Sequence, residues 1–300
     1  MHFQKLELKD FPVIRAYYDA LSPGICDYTT GALFMWRSYF KTEYCIEDGT
    51  LFTRVDGAPG AQGCCQIPFG DLGPKEGIAR IIRSEHAAGR RVCIAPLEEK
   101  DLDLLEGQQI RFTLDCSDDD AADYIYDYAD FTSLSGKRNH KKKNHINQFD
   151  RACESWRFEI ITPAHLDALK VFLDTSYHMA EDPGEIERVE MDAVREVLDH
   201  YEAYGMTGGV LYADERIAGF TVGECVGETL FVHIEKADIT IPGAYQKLNH
   251  EYALRCGAGM KWINREDDSG DPGLRRSKLS YHPVRMGRKY IAEEKTLGSY

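Results

Sequence analysis

The chain has 300 residues, 43% hydrophobic and 29% charged, with a formal net charge of −14. That is the composition of a soluble globular protein with ample core, and it excludes a disordered or fibrous chain. No apolar run approaches the roughly 20 residues of a membrane span. The start "MHFQKLELKDF" has neither the basic head nor the apolar centre of a signal peptide, so a cytoplasmic protein without integral membrane association is expected.

Taken in order, "FQKLELK" reads as a strand, "FPVIRAYYDAL" and "TTGALFMWRSYF" as helices, and "TEYCIED", "TLFTRVD" and "GCCQIPF" as three short strands. "PKEGIARIIRSEHAAG" predicts a helix, "RRVCIAPL" a strand, "EKDLDLL" a short helix and "QIRFTLD" a strand. The segment 115–140 is acidic and aromatic; its acid part reads as a solvated connector, and "ADFTSLSGKRNHKKKNHINQFDRA" as a helix-rich entry into a second domain. The second half repeats the list. "RFEIITP" is a strand, "AHLDALKVFLDTSYHMA" and Glu185–Tyr204 are helices, and "TGGVLYAD", "RIAGFTVGECV" and "TLFVHIEKAD" are three strands joined by hairpin-like turns. A helix opened by Pro242-Gly243, a strand "MKWINRED", a short helix "PGLRRSKL" and a last extended piece "PVRMGRKYIA" follow.

Each half therefore reads β-α-α-β-β-β-α-β-α-β, the mark of a structural duplication. That order matches the GNAT acyltransferase fold, in which a mixed sheet splays open between its fourth and fifth strands. The expected class is α/β (α+β): a tandem, duplicated GNAT-like fold whose mixed, mostly antiparallel sheets are flanked by helices. The expected division is a degenerate N-terminal domain (1–115), a linker with a basic helix (116–154) and a C-terminal domain carrying the site (155–300). Nine cysteines in no recognisable framework, with no C-x-x-C pair and no Cys/His metal spacing, predict reduced, packed thiols and no metal site.

The motifs "LSGKRNHKKKNHINQF", "HIEKAD…GAYQKLNHEYA" and "WINREDDSGDPGLRRSKLSYHP", with the closing "RKY", resemble the family of phosphatidylglycerol lysyltransferase C-terminal domains. The resemblance spans about 120–292 by motif and the whole chain by element order. It implies a tandem GNAT fold shared with the Fem-type peptidyltransferases. Those relatives move an aminoacyl group from a charged tRNA onto an amine or hydroxyl acceptor. The implied partners are tRNA and a small-molecule or peptide acceptor, with no further cofactor required. The resemblance also places Lys278 at the lysine of the family's K-x-x-F/Y-x-P pattern, here "KLSYHP". A fixed ammonium there would stabilise the oxyanion of acyl transfer, an effect of about 3–4 kcal/mol.

Other candidates come from the residues themselves. Strand alternation puts Phe231, His233 and Glu235 on one face, with His233 or Glu235 able to accept a proton from the attacking group. Glu266 and Arg275 read as the orienting shell of Lys278, and with Arg265 and Tyr281, which closes the segment, as substrate-binding candidates. Tyr245 and Asn249 lie on the helix after Pro242-Gly243. In acyl-CoA enzymes the start of that helix cradles a pyrophosphate, but "TIPGAY" keeps one glycine of that fingerprint, and Tyr245 sits where the backbone must approach closely. An acetyl-CoA-dependent N-acetyltransferase is therefore the second reading, and a non-catalytic RNA- or nucleotide-binding module the third. Within "GKRNHKKKNHINQFDR", Arg138, Asn139, Lys142 and Asn147 recur at helical spacing as a cationic stripe for an anionic donor, with Ile146 and Phe149 on the buried side.

Overall fold

The computed structural model describes residues 1–55, 63–116, 119–178 and 184–295. Met179 and Ala180, at the end of one expected helix, and Ser117 and Asp118, in the acidic segment, lie outside the described residues. The chain forms two units, Met1–Ala122 with Gly287–Tyr300, and Asp123–Met286.

The first unit contains β1 (Gln4–Lys5), α1 (Phe11–Tyr18), α2 (Thr30–Trp36), β2 (Glu43–Glu47), β3 (Thr50–Val55), β4 (Cys64–Cys65), β5 (Phe69–Gly70), α3 (Gly73–Ala87), β6 (Cys93–Leu97) and β7 (Phe112–Cys116). The second begins with β8 (Asp123–Asp127), α4 (Tyr128–Ser133), α5 (His140–Ala152) and β9 (Trp156–Ile160). It continues with α6 (Leu166–His178), α7 (Glu185–Asp199), α8 (Tyr201–Tyr204), β10 (Thr207–Ala213), β11 (Arg216–Val226) and β12 (Thr229–Ala237). α9 (Ala244–Cys256), β13 (Trp262–Asn264), α10 (Pro272–Leu279) and β14 (Arg285–Gly287) complete it, and β15 (Tyr290–Glu294) ends the chain.

The duplication is visible in the strand order. The first sheet runs β1-β2-β3-β4-β6-β15-β7, with β5 also paired to β3; the second, read from its other edge, runs β9-β10-β11-β12-β13-β8-β14. In both, the fourth and fifth strands pair in parallel, while the first three pairings are antiparallel. The sixth place is filled reciprocally. β8 follows the first repeat in sequence yet pairs in the second sheet, and β15 follows the second repeat yet pairs in the first.

This exchange corrects two expectations. The acidic segment is not all connector: Asp123, Tyr124, Ile125 and Tyr126 are buried as β8. The closing "PVRMGRKYIA" is two strands in two sheets, so residues from 287 onward leave the C-terminal unit in which they were expected. Both errors share a cause, since a strand's partner is set by non-local pairing that a linear pattern does not carry.

A second correction concerns the cysteines. Cys64 on β4 and Cys93 on β6 are joined in a disulfide, and the other seven are free. The 29-residue separation hides the pair in the sequence, while parallel pairing of β4 and β6 (Cys65 opposite Ile94) brings their Cα atoms to 4.5 Å.

In the second unit the sheet is covered on one face by α6 and α7, where Phe172 meets Phe220 edge-on, and on the other by α9. Leu248 and Tyr252 of α9 pack with Leu230, Val232 and Ile263 of the sheet. α5 docks on α9 through Phe149, so the basic segment folds against this unit as expected. The β10–β11 hairpin turns on Asp214 and Glu215, both in the left-handed region (φ 47° and 65°), as a type I′ turn requires.

A disulfide closing a loop of this length stabilises by about 3–4 kcal/mol. Thiol titration in denaturant without reductant should therefore find seven reactive thiols, rising to nine after reduction, with a matching loss of stability. Nine thiols before reduction would refute the pairing.

Candidate active site

β13 pairs with only the first three residues of β12, Thr229, Leu230 and Phe231. Beyond them the two strands separate, as the fold predicts. The gap is narrow and is lined by Phe131, Val232, Glu235, Asn249, Tyr252 and Arg265, among others.

The register of β12 against β11 shifts at Gly223, which pairs with Val232 while Val222 pairs with Ile234. His233 is thus an extra residue, a bulge that reverses the strand's alternation. Glu235 consequently joins Leu230 and Val232 in lining the gap, while His233 stacks on Phe231 (6.5 Å, 12°). The expected shared face of His233 and Glu235 is overturned, because alternation assumes an unbroken ladder.

His233 is not a free base either. Its ring lies between two carboxylates, Nδ1 at 2.7 Å from Glu266 and Nε2 at 3.0 Å from Glu224. Two acceptors demand two N–H donors, which is the imidazolium. Burial alone would push its pKa down, but the bonds to Glu224 and Glu266 carry it up to about 10. A histidine cationic at neutral pH cannot accept a proton, so it acts as a clamp between β11 and the loop after β13. Glu266 feels the opposite pull: burial raises its pKa, and His233 only partly offsets this.

Glu235 faces Arg265 in a forked ion pair, Nε to Oε1 at 3.2 Å and Nη2 to Oε2 at 2.5 Å. Arg265 is 4% exposed, and its Nη1 is buried with no acceptor among the described residues. Asn249 Oδ1 is likewise buried without a donor. Burial opposes the charge of Arg265, but Glu235 more than compensates and holds it protonated.

Lys278 is buried, yet its Nζ is committed elsewhere. It donates to the carbonyls of Arg265 (2.5 Å), Glu266 (3.4 Å) and Asp267. An ammonium has three N–H groups, and three carbonyls take them. Burial lowers its pKa, with Arg265 adding to the effect. The expected oxyanion contact therefore has no N–H left to make it, and Lys278 instead organises the 265–267 loop that aims Arg265. Around it, Arg275 grips buried Asp268 (2.9 and 2.8 Å), Tyr124 donates to Asp268 at 2.6 Å, and Asn264 joins Asp123 to the Glu266 amide.

The basic stripe divides. Asn139 and Lys142 lie on the buried side of the helix with Ile146 and Phe149. Lys142 sets its Nζ 3.9 Å from the centre of the Tyr281 ring, which also meets Phe131 face to face and lies 5.1 Å from the Arg265 guanidinium carbon. Arg138 and Asn147 are exposed, and Arg138 pairs with Asp130. The four do not converge: a three-residue spacing fits either side of a helix, and docking on α9 chose the side of Lys142. Tyr245 packs against the core of the unit and is oriented toward the Ala237 backbone. Of the remaining partners, Glu224 was missed in the sequence. A lone carboxylate in the apolar strand "FTVGECV" is the signal that a buried partner must answer it.

The His233 clamp gives a signed prediction. Its pKa is raised above the ordinary value near 6.5, so its contribution is full below that pH, falls as pH rises, and is lost above about 10. His233→Gln should cost about 3–5 kcal/mol at pH 6, the scale of a broken buried ion pair. The stability gap to the wild type should close between pH 7 and 10. A gap independent of pH would refute the imidazolium.

The chain was compared with known proteins. Residues 18–293 match the family described as phosphatidylglycerol lysyltransferase, C-terminal. A conserved protein of unknown function from Bacteroides thetaiotaomicron VPI-5482 is 31% identical and superposes with a TM-score of 0.84 over 98% of this chain and 99% of the other. L-PGS from Bacillus licheniformis shares the fold at 15% identity (TM-score 0.67; 96% and 92% of the two chains). FemX does so at 12% (TM-score 0.59; 98% of each). No described helix is long and apolar enough to cross a membrane. With the family match covering residues 18–293 and so both units, the chain belongs to the phosphatidylglycerol lysyltransferase C-terminal family and is an acyltransferase of that type.

Proposed function

We propose that the chain transfers an aminoacyl group from a charged tRNA to a hydroxyl or amine acceptor at the β12–β13 gap, in the cytoplasm, where charged tRNA is made. One observation carries this reading: Arg265 Nη1 is buried at the splayed gap, pre-aimed by Glu235, and has no acceptor among the described residues. Acyl transfer generates an oxyanion that needs such a donor, and a donor fixed beforehand does not reorganise during the reaction. Glu235 and Lys278 are positioning residues, the first holding the guanidinium and the second holding its loop.

The start of α9 supports an aminoacyl ester over acyl-CoA. Gly243 takes φ +78°, and a Cβ there would lie 2.0 Å from the His145 carbonyl and 3.2 Å from Phe149 Cβ. α5 thus crowds the helix N-terminus that a pyrophosphate would need. The family and the likeness to L-PGS and FemX point the same way.

The test incubates the protein with a pool of charged tRNAs and, as acceptors, phosphatidylglycerol vesicles or a lysine-containing peptide, with acetyl-CoA as a parallel donor. Transfer from tRNA is expected. Arg265→Lys should lower kcat by 10²–10³-fold with KM little changed, the signature of a contact made in the transition state. Transfer from acetyl-CoA alone, or tRNA binding without turnover, would overturn the reading.

A further inference from the structure

We propose that Lys142 is the general base of this transfer, accepting the proton of the attacking hydroxyl or amine. The proposal rests on the acyl-transfer reading above and adds the group that reading lacks, since the geometry removes His233 from that role. Glu235 is spent on Arg265.

Lys142 is 6% exposed, and among the described residues no carboxylate lies within ion-pair distance of its Nζ. Its contact is the face of Tyr281, whose ring Arg265 shares. A buried ammonium without a counter-ion is costly, and the amine relieves the cost by shedding its proton. Burial chiefly, and the neighbouring charge of Arg265 in addition, bring its pKa down to about 8.

Lys137, Lys141, Lys143 and Arg151 on this segment are exposed, and the charged groups packed against it are paired elsewhere. On α9, Lys247 bonds Asp150 and Glu251. On α4, Asp130 bonds Arg138. After α10, His282 Nε2 lies at 3.3 Å from the Arg138 carbonyl. Tyr126 and Tyr281 stay neutral, their pKa values raised by burial.

The step balances without a further reactant. The neutral amine takes the acceptor's proton as the acceptor oxygen or nitrogen bonds to the acyl carbon. The carbonyl electrons move onto oxygen, and the resulting oxyanion accepts a hydrogen bond from Arg265 Nη1. Collapse breaks the ester bond to the donor, and the departing alkoxide takes the proton back from the Lys142 ammonium. Arg265 serves here as the neighbour that discourages a second positive charge as well as the oxyanion donor.

Two measurements test the proposal on the full chain. In protein labelled with 13C-lysine, the Cε resonance lost in Lys142→Arg should titrate near pH 8, well below the other lysines; a midpoint above 10 overturns the proposal alone. In the tRNA assay, Lys142→Arg keeps the cation but cannot release a proton, so kcat should fall at least 10²-fold, and the rise of the wild-type rate toward pH 8 should disappear. Lys142→Arg with wild-type rate and pH profile overturns the proposal. A wild type that transfers nothing from any charged tRNA overturns the acyl-transfer reading, and the base with it.

Discussion

The second unit is arranged around one expensive object, a guanidinium taken out of water. Arg265 is buried where the strands of a sheet stop pairing, and a charge there is tolerable only with a partner of good geometry. The fork to Glu235 supplies it. Glu235 can face Arg265 only because the bulge at His233 reverses the alternation of β12. The bulge in turn is held by the Glu224–His233–Glu266 clamp, and the loop carrying Arg265 by the Lys278 ammonium on its carbonyls. Each of these polar groups would be a liability alone. Together they leave Arg265 Nη1 buried at the gap with no acceptor among the described residues.

The duplication gives an internal control. The fourth and fifth strands of the first sheet, β4 and β6, likewise run parallel and meet at a single residue pair. There the Cys64–Cys93 disulfide links the two strands beside that pair, and the adjoining residues are the apolar Val55, Ala95 and Ile291. One copy of the fold joins these strands with a covalent bond and apolar packing. The other places buried ion pairs where its strands separate, and the proposed chemistry is located there for that reason.

The sequence by itself determined the element order and the duplication, because hydrophobic periodicity and turn residues are local signals, and its motifs carried the resemblance that implied the family and the splayed sheet. It also brought Arg265, Glu235, Lys142 and Tyr281 into the candidate set, and the docking of the 136–151 segment through its apolar side. What only the tertiary structure decided was partnership. Strands β8 and β15 exchange sheets, and Cys64 finds Cys93, through pairings between residues distant in the chain. One inserted residue at His233 turned Glu235 toward Arg265. Lys278 and Lys142 are both buried lysines on candidate motifs, yet one spends its three N–H groups on carbonyls while the other lies over an aromatic face. A side chain's chemistry follows from what answers its charge, and that neighbour is supplied by folding.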